Sequence, residues 1–215
     1  MRKKYNQIGR SMVEMLGVLA IIGVLSVGGI TGYSKAMMKY KLNKHTESFN
    51  QFIISAIELK PQLNRSFAQT GKSINANIFN ILNLIPEGMT FNDDNNSIKD
   101  VFGSNITFHY GLVLQADGSK QEESYIIFKL PISNNKISSE GFAICQNTLT
   151  VLKEHYNNIS TITLAIDDKG FKIYGYLGCP DYSICLKDLS VKDIEKVCYA
   201  QNVEELLEII IYLHQ

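Results

Sequence analysis

Residues 9–34 of the chain read GRSMVEMLGVLAIIGVLSVGGITGYS. From Met15 to Ser34 this stretch contains 20 consecutive residues without a charge. As an α-helix such a run is ~30 Å long, which matches the hydrocarbon core of a bilayer. The basic residues 2–4 precede the run, and they favour a cytoplasmic N-terminus with the rest of the chain exported. The sequence therefore predicts one membrane-spanning helix near its start.

Glu14 stands at the beginning of the apolar run, and three interpretations of the segment treat it differently. A cleaved secretory signal would have a shorter apolar region that ends in a small-residue cleavage site. A plain membrane anchor fits the length, but it gives no reason for a carboxylate that costs about 2.5–3.5 kcal/mol at mid-span. The third interpretation gives Glu14 a role, and it rests on the residues that surround it.

The motif GRSMVEML, residues 9–16, resembles the processing site of type IV prepilins. Within that family the chain resembles the type IVb members. In that family a short basic leader ends in Gly, and a small polar residue, two apolar residues, a Glu and a long apolar helix follow. The resemblance implies cleavage by a prepilin peptidase between Gly9 and Arg10. It also makes Glu14 the fifth residue of the mature chain, where the family uses it in filament assembly.

Two positions depart from the family pattern. Arg10 stands where members usually begin the mature chain with an apolar residue, which leaves the methylation of the new N-terminus open. Thr31 stands where many members have a Pro near the middle of the helix. Gly28, Gly29 and Gly32 can loosen the helix there, because Gly weakens a helix interior by about 1 kcal/mol relative to Ala. They can equally serve close helix packing in a membrane.

The resemblance implies an α+β fold, with a long N-terminal hydrophobic α-helix packed on an antiparallel β-sheet head. Its implied partners are the prepilin peptidase, the inner membrane before assembly, and other pilin subunits. The precursor is then expected in the inner membrane and the mature subunit in an extracellular pilus. Two alternatives stay open: a pseudopilin or minor pilin of a secretion or DNA-uptake system, and a membrane-anchored periplasmic binding protein or enzyme.

The predicted organisation is a leader at 1–9, a long helix at 10–60 and a globular head at 61–215. One stripe of apolar residues at helical spacing continues the helix beyond the membrane span: Met38, Leu42, Phe49, Phe52, Ile53, Ala56 and Ile57. Pro61 is expected to end it, because a Pro inside a helix loses a hydrogen bond and clashes with the preceding turn. Lysines at 35, 39, 41 and 44 oppose export of this end, and the cysteines and the leader motif favour it.

Periodicity predicts the elements of the head. Alternating apolar residues predict strands at 106–114 and 125–130, and a hairpin at 161–176. Helices are predicted at 74–85, at 139–156 and, capped by Ser190, as far as Cys198. Residues 92–97 are polar and loop-like, and 208–213 favour a strand with a helix nearly as probable. Strands followed and flanked by short helices give an α+β class from the pattern alone.

Four cysteines lie in the C-terminal third, at Cys145, Cys179, Cys185 and Cys198. An even count in an exported domain predicts two disulfides, with three connectivities open. A bond between Cys179 and Cys185 is feasible, and it would leave Cys145 to pair with Cys198. Zinc is the rival explanation, but the chain has no Cys-x-x-Cys pair. Family members often carry a disulfide in this region, which supports the disulfide interpretation.

Composition and motifs exclude several function classes. The 21 basic and 21 acidic residues balance, so no basic nucleic-acid-binding surface is expected, and 45% apolar residues exclude a disordered chain. Histidines 45, 109, 155 and 214 have no ligand spacing, and residues 93–97 resemble a calcium loop only loosely. No nucleophile-elbow, phosphate-loop or dinucleotide motif is present. We therefore expect no catalysis, no metal site and no cofactor.

Overall fold

The computed structural model describes residues 12–114, 119–130, 132–133, 136–166, 169–176, 178–181, 183–198 and 208–214. The chain divides into two compact units, Met1–Tyr40 and Lys41–Gln215. The first described element is a helix of 59 residues, α1 (Met12–Thr70). The remaining elements, all in the second unit, are β1 (Ile74–Asn75), α2 (Asn77–Ile81), β2 (Thr90–Asn92), β3 (Ser97–Lys99), β4 (Asn105–Leu114), β5 (Lys120–Lys129), β6 (Ile132–Ser133), β7 (Lys136–Ile137), α3 (Ser139–Glu154), β8 (Ile159–Ile166), β9 (Lys169–Tyr174), β10 (Ile184–Cys185), α4 (Val191–Cys198) and β11 (Glu208–Leu213).

A nine-stranded sheet organises the second unit. Its strand order is β10-β9-β8-β11-β5-β4-β3-β2, and β1 pairs with β4 beside this path. All neighbours are antiparallel except β10, which runs parallel to β9. The short strands β6 and β7 form a separate pair. A long apolar N-terminal helix with a mostly antiparallel sheet makes the fold α+β, as predicted, and consistent with a pilin-like architecture.

One face of the sheet carries the core. In β5 and β11 alternate residues are buried, such as Ile126 and Phe128 in β5 and Ile209 and Ile211 in β11. The part of α1 that belongs to the second unit buries seven apolar side chains in the same core: Phe49, Phe52, Ile53, Ala56, Leu59, Leu63 and Phe67. Aromatic rings connect the layers, because Phe79 of α2 lies 4.8 Å from Phe52 and 5.1 Å from Phe108 of β4, centroid to centroid.

The prediction that Pro61 ends the long helix is wrong, and so is the helix boundary at residue 60. Pro61 lies inside α1, which continues to Thr70. A Pro in a helix interior costs about 3 kcal/mol. Leu63 and Phe67 lie beyond it and are 3% and 5% exposed, and each contributes roughly 1.5–3 kcal/mol by burial. The apolar stripe past Pro61 therefore offsets the lost hydrogen bond.

Two other segments differ from the predictions. Residues 74–85 are not one helix, because Ile74 pairs with Tyr110 of β4 and only the five residues of α2 are helical. Residues 92–97 are not a plain loop, because β2 and β3 pair around a single turn of 3₁₀-helix at Asp93–Asn95. Both segments depend on pairing with distant strands, which local periodicity does not report.

The other predicted elements are confirmed. The strands β4, β8, β9 and β11 and the helix α3 occupy the predicted segments, and β5 begins at Lys120, five residues before the strand predicted at 125–130. Ser190 precedes α4, and its Oγ accepts a hydrogen bond from the Asp193 amide at 3.2 Å. The Asp193 carboxylate in turn accepts from the Ser190 amide at 3.0 Å, which is the reciprocal arrangement of a capping box. The connection between the strands predicted at 106–114 and 125–130, and the turn of the hairpin predicted at 161–176, include residues outside the described part of the chain.

Candidate membrane and assembly segment

The first unit exposes an apolar helix surface. Among the side chains described between Met12 and Tyr40, all but Met38 are exposed. The large apolar ones are 53–81% exposed from Met12 through Ile30: Met12, Met15, Leu16, Val18, Leu19, Ile21, Ile22, Val24, Leu25, Val27 and Ile30. Among the described helices, α1 is the one that by length and composition can cross a membrane, with a mean hydropathy of 2.1 in its most apolar window.

Glu14 lies in the first turn of α1 and is exposed. A carboxylate there interacts favourably with the unpaired amides at a helix N-terminus, typically by about 0.3–1 kcal/mol. Among the described residues Glu14 has no ion-pair partner. The predicted processing residues Gly9 and Arg10 lie outside the described part of the chain, so the structure does not show them together with Glu14, the predicted assembly residue.

Glycines in this segment have no structural requirement within the subunit. A Cβ added at Gly17, Gly23, Gly28, Gly29 or Gly32 would meet no atom within 4 Å, and the helix is unbroken through all five. Thr31, which stands where many prepilins have a Pro, donates from Oγ1 to the Val27 carbonyl at 2.9 Å, inside the unbroken helix. Each Gly still weakens the helix by about 1 kcal/mol relative to Ala.

Two disulfides stabilise the second unit, Lys41–Gln215, which is called the head from here on. The even cysteine count predicts them. Cys145 of α3 bonds to Cys198 of α4, with Cα atoms 5.8 Å apart and both residues buried. Cys179 bonds to Cys185, with Cα atoms 5.5 Å apart, and closes the loop that follows β9. The first bond fastens two helices to each other in the core, whereas the second constrains a partly exposed loop.

A buried polar cluster joins three elements of the head. His45 of α1, Asp100 after β3 and Thr148 of α3 are all shielded from solvent. The His45 Nδ1 and Asp100 Oδ2 atoms lie 3.0 Å apart as an ion-pair contact, and His45 Nε2 lies 3.1 Å from Thr148 Oγ1. The imidazole also packs against the rings of Phe49 and Phe128, at 5.6 and 5.5 Å between centroids.

Asp100 is held by its own turn. Its Oδ1 accepts hydrogen bonds from the amides of Phe102 at 2.9 Å and Ser104 at 2.7 Å, and Gly103 takes the positive φ of 79° that this turn needs. An acidic residue, a His and a hydroxyl in this order resemble a catalytic relay. The side chains of His45 and Asp100 are fully shielded from solvent, and the cluster connects α1, the β3–β4 turn and α3.

Sequence reasoning did not find this cluster, because its members are more than 40 residues apart and share no local pattern. In the sequence, His45 is one of four histidines without ligand spacing. Burial lowers the pKa of His109 and of His155 below the ordinary value. Burial and then the Glu122 carboxylate raise the pKa of Tyr110 to about 12, and Tyr110 donates to Glu122 at 3.3 Å.

Within the described residues no group of three or more His, Cys, Asp or Glu side chains can hold a metal ion.

Comparison with known proteins adds no relative. No protein-family model, no curated protein and no solved structure matches the chain. The geometry of the apolar segment and the braced head, together with the N-terminal motif, is therefore the basis on which a function is argued.

Proposed function

We propose that the chain is the structural subunit, a pilin, of a type IV pilus or related filament. The observation that carries the proposal is the motif at residues 9–16 at the start of a helix whose described large apolar side chains from Met12 through Ile30 are more than half exposed. In the proposal a prepilin peptidase cleaves after Gly9. The helix holds the subunit in the inner membrane until assembly. The subunit then leaves the bilayer, and the mature protein is extracellular.

The exposed apolar surface supports this proposal because it suits both of the successive surroundings that the proposal requires, the bilayer and the filament. In a bilayer the side chains from Met15 to Ile30 contact lipid tails, which are as apolar as Leu itself. In a filament the same side chains contact the helices of neighbouring subunits. Exchange between two apolar surroundings changes the free energy of these side chains little, so the helix can move from one to the other.

The glycines support the same conclusion. Five positions keep Gly although a Cβ would clash with nothing in the subunit. Small residues in apolar helices let neighbouring backbones approach closely, and Gly28 and Gly32 have the four-residue spacing of that arrangement. A close neighbour helix would explain why these positions lack a side chain.

In the proposal, Glu14 receives its partner in the assembly. After cleavage, the α-amino group of Arg10 in one subunit would lie near Glu14 of the next, and the Arg10 guanidinium adds a second positive group. A pair buried in a low-dielectric core compensates the desolvation of both charges only when its geometry is good. The pairing would therefore fix the axial position of each incoming subunit.

The head is suited to an exported location, because two disulfides form and persist in oxidising compartments. A second candidate, a membrane-anchored periplasmic binding protein, is favoured by a cleft in the head beside Lys60. The two candidates differ at the N-terminus, since the anchored protein retains residues 1–9. Mass spectrometry of the mature N-terminus distinguishes them, and an intact Met1 terminus would refute the pilin proposal.

The assembly role is tested with Glu14→Ala and, as a matched control, Glu14→Asp. Removing one partner of a buried ion pair typically costs about 3–5 kcal/mol. We therefore expect Glu14→Ala to insert in the membrane and lose its leader normally, while the filament yield in sheared preparations falls sharply. Glu14→Asp keeps the charge and should retain part of the yield. Equal filament yields from Glu14→Ala and the parent would contradict the proposed role.

A further inference from the structure

A cleft of about 330 Å³ opens in the head between α1 and the end of β11. Its polar lining comes from Lys60 and Asn64 of α1, from Asn158 before β8, and from His214 after β11. Ile57 and Pro61 of α1 form an apolar wall. Ligand sites in proteins usually measure 300–1,000 Å³ and combine apolar walls with a few polar groups, so the cleft has the size and lining of a small-molecule site.

Lys60 is a buried cation in the wall of this cleft. Lys60 is only 9% exposed, although lysines are almost never fully buried without a partner. The Nζ atom donates to the carbonyl oxygens of Leu213, at 3.0 Å, and of His214. An ammonium group has three N–H donors. Among the described residues the third donor has no acceptor.

No carboxylate among the described residues lies within 4 Å of Lys60 Nζ. Burial lowers the pKa of Lys60 to about 8. At neutral pH the group is still charged. A buried charge is stable in proteins when it is paired and hydrogen-bonded. Within the part of the chain that the structure describes, Lys60 has two hydrogen bonds and no counter-charge.

We propose that the cleft binds the carboxylate of a small organic acid. The carboxylate accepts a hydrogen bond from the third N–H of Lys60 and supplies a counter-charge for the ammonium group. The side-chain amides of Asn64 and Asn158 are further donors in the lining, and the wall of Ile57 and Pro61 receives the apolar part of the ligand. The apolar wall favours an organic acid over inorganic phosphate, which has no apolar part. This inference does not depend on whether the subunit assembles into a filament.

The experiment uses the full-length protein in a non-ionic detergent and a buffer without carboxylate or phosphate. The probes are butyrate and benzoate, the neutral amides of the same two acids, and inorganic phosphate, each titrated by calorimetry at pH 7 and pH 9.5. We expect saturable binding of at least one carboxylate and none of its amide. We also expect at least tenfold weaker binding at pH 9.5, because Lys60 loses its charge above pH 8.

Lys60→Met removes the charge with little change in side-chain length and should weaken carboxylate binding at least tenfold. Lys39→Met, at an exposed position of the same helix, is the matched control and should bind as the parent does. If Lys60→Met fails to fold, Asn64→Leu is the alternative test. Asn64 is exposed at the rim of the cleft, so its substitution leaves the buried wall intact, and it should weaken carboxylate binding. Absence of carboxylate binding, binding of phosphate alone, or equal binding by parent and Lys60→Met would overturn the proposal.

Discussion

The two segments of α1 on either side of residue 40 contain similar apolar residues and meet different surroundings. From Met12 through Ile30 the described large apolar side chains are more than half exposed, with Leu19 and Leu25 as examples. After residue 40, Phe52 and Leu63 are among seven buried apolar side chains. The first segment contains five glycines and the second contains none, although the second accommodates Pro61.

This difference indicates where each segment obtains its stability. The later segment is stabilised inside its own subunit, where side-chain shape is matched to the sheet and a Pro is tolerated because burial offsets its cost. The earlier segment has no such match within the subunit, so its composition reflects a partner outside the chain. Substitutions in the two segments should therefore affect different measurements.

The largest contrast is expected from truncating one apolar side chain in each segment. Phe52→Ala removes a fully buried ring that lies 4.8 Å from Phe79, and such changes typically cost 3–5 kcal/mol, so we expect a loss of about that size. Leu25→Ala should change the free energy of unfolding of the head by less than about 0.5 kcal/mol. Denaturant titration of the full-length proteins in detergent measures both, and comparable losses would mean that the two segments do not have separate roles.

The disulfides should differ from each other in the same assay. The bond between Cys145 and Cys198 closes a separation of 53 residues, and the bond between Cys179 and Cys185 one of 6. Loop-closure entropy gives about 4 kcal/mol for the first and about 2 kcal/mol for the second. We expect the variant with Ser at both 145 and 198 to lose more stability than the variant with Ser at both 179 and 185. Membrane retention should be unchanged in both. A larger loss at the short loop would show that strain or packing, and not loop length, controls the effect.

The pH dependence of the later segment provides a third test. Burial lowers the pKa of Lys60 from 10.5 to about 8, so between these values the unfolded chain holds more protons than the folded one. The free energy of unfolding should rise with pH across this window, by about 2–3 kcal/mol. Because the pKa of Tyr110 is raised to about 12, its contribution falls only above pH 10, and titrations from pH 7.5 to 10 separate the two.

Lys60→Met should abolish this rise, whereas Lys39→Met should retain it. Lys39 is exposed and lies in the earlier segment, so its ionisation should be nearly the same in the folded and unfolded chains. A pH profile that Lys60→Met leaves unchanged would show that another group is responsible for it.

The smallest free-energy change is expected at a glycine of the earlier segment. Gly28→Ala favours the helix by about 0.8–1 kcal/mol, and the new Cβ meets nothing in the subunit. We expect an unchanged head and a lower filament yield, because the added methyl group separates neighbouring helices. Ser26→Ala, close by on the same helix, is the control. An equal or higher filament yield from Gly28→Ala would remove the glycines from the argument for assembly.

Sequence patterns predicted those parts of the fold that depend on local order. Alternation identified β4 and β5, and Ser190 identified the start of α4, because pleat and capping act over a few residues. The end of α1 was missed, since the local cost of Pro61 is outweighed by burial of Phe67 on Tyr110, whose ring centroid lies 5.7 Å away. The pairing of Ile74 with β4 was missed because it is set by a distant strand.

The candidate sites divide in the same way. The apolar run and the motif with Glu14 are contiguous, so they were found from the sequence. The His45–Asp100 contact and the cleft at Lys60 bring together residues 55 to 154 positions apart, and only the folded head creates them. A buried Lys or His has no distinctive neighbours along the chain, so its burial could not be predicted from periodicity.

The position of β11 has a consequence for the order in which the head can fold. This strand, the last one described, lies between β5 and β8 and is antiparallel to both. Until residues 208–213 join the sheet, β8–β10 and β2–β5 are two partial sheets with open edges and no shared centre. The head therefore cannot complete its core before β11 is synthesised, and a chain cut before β11 would present two unpaired edges to its surroundings.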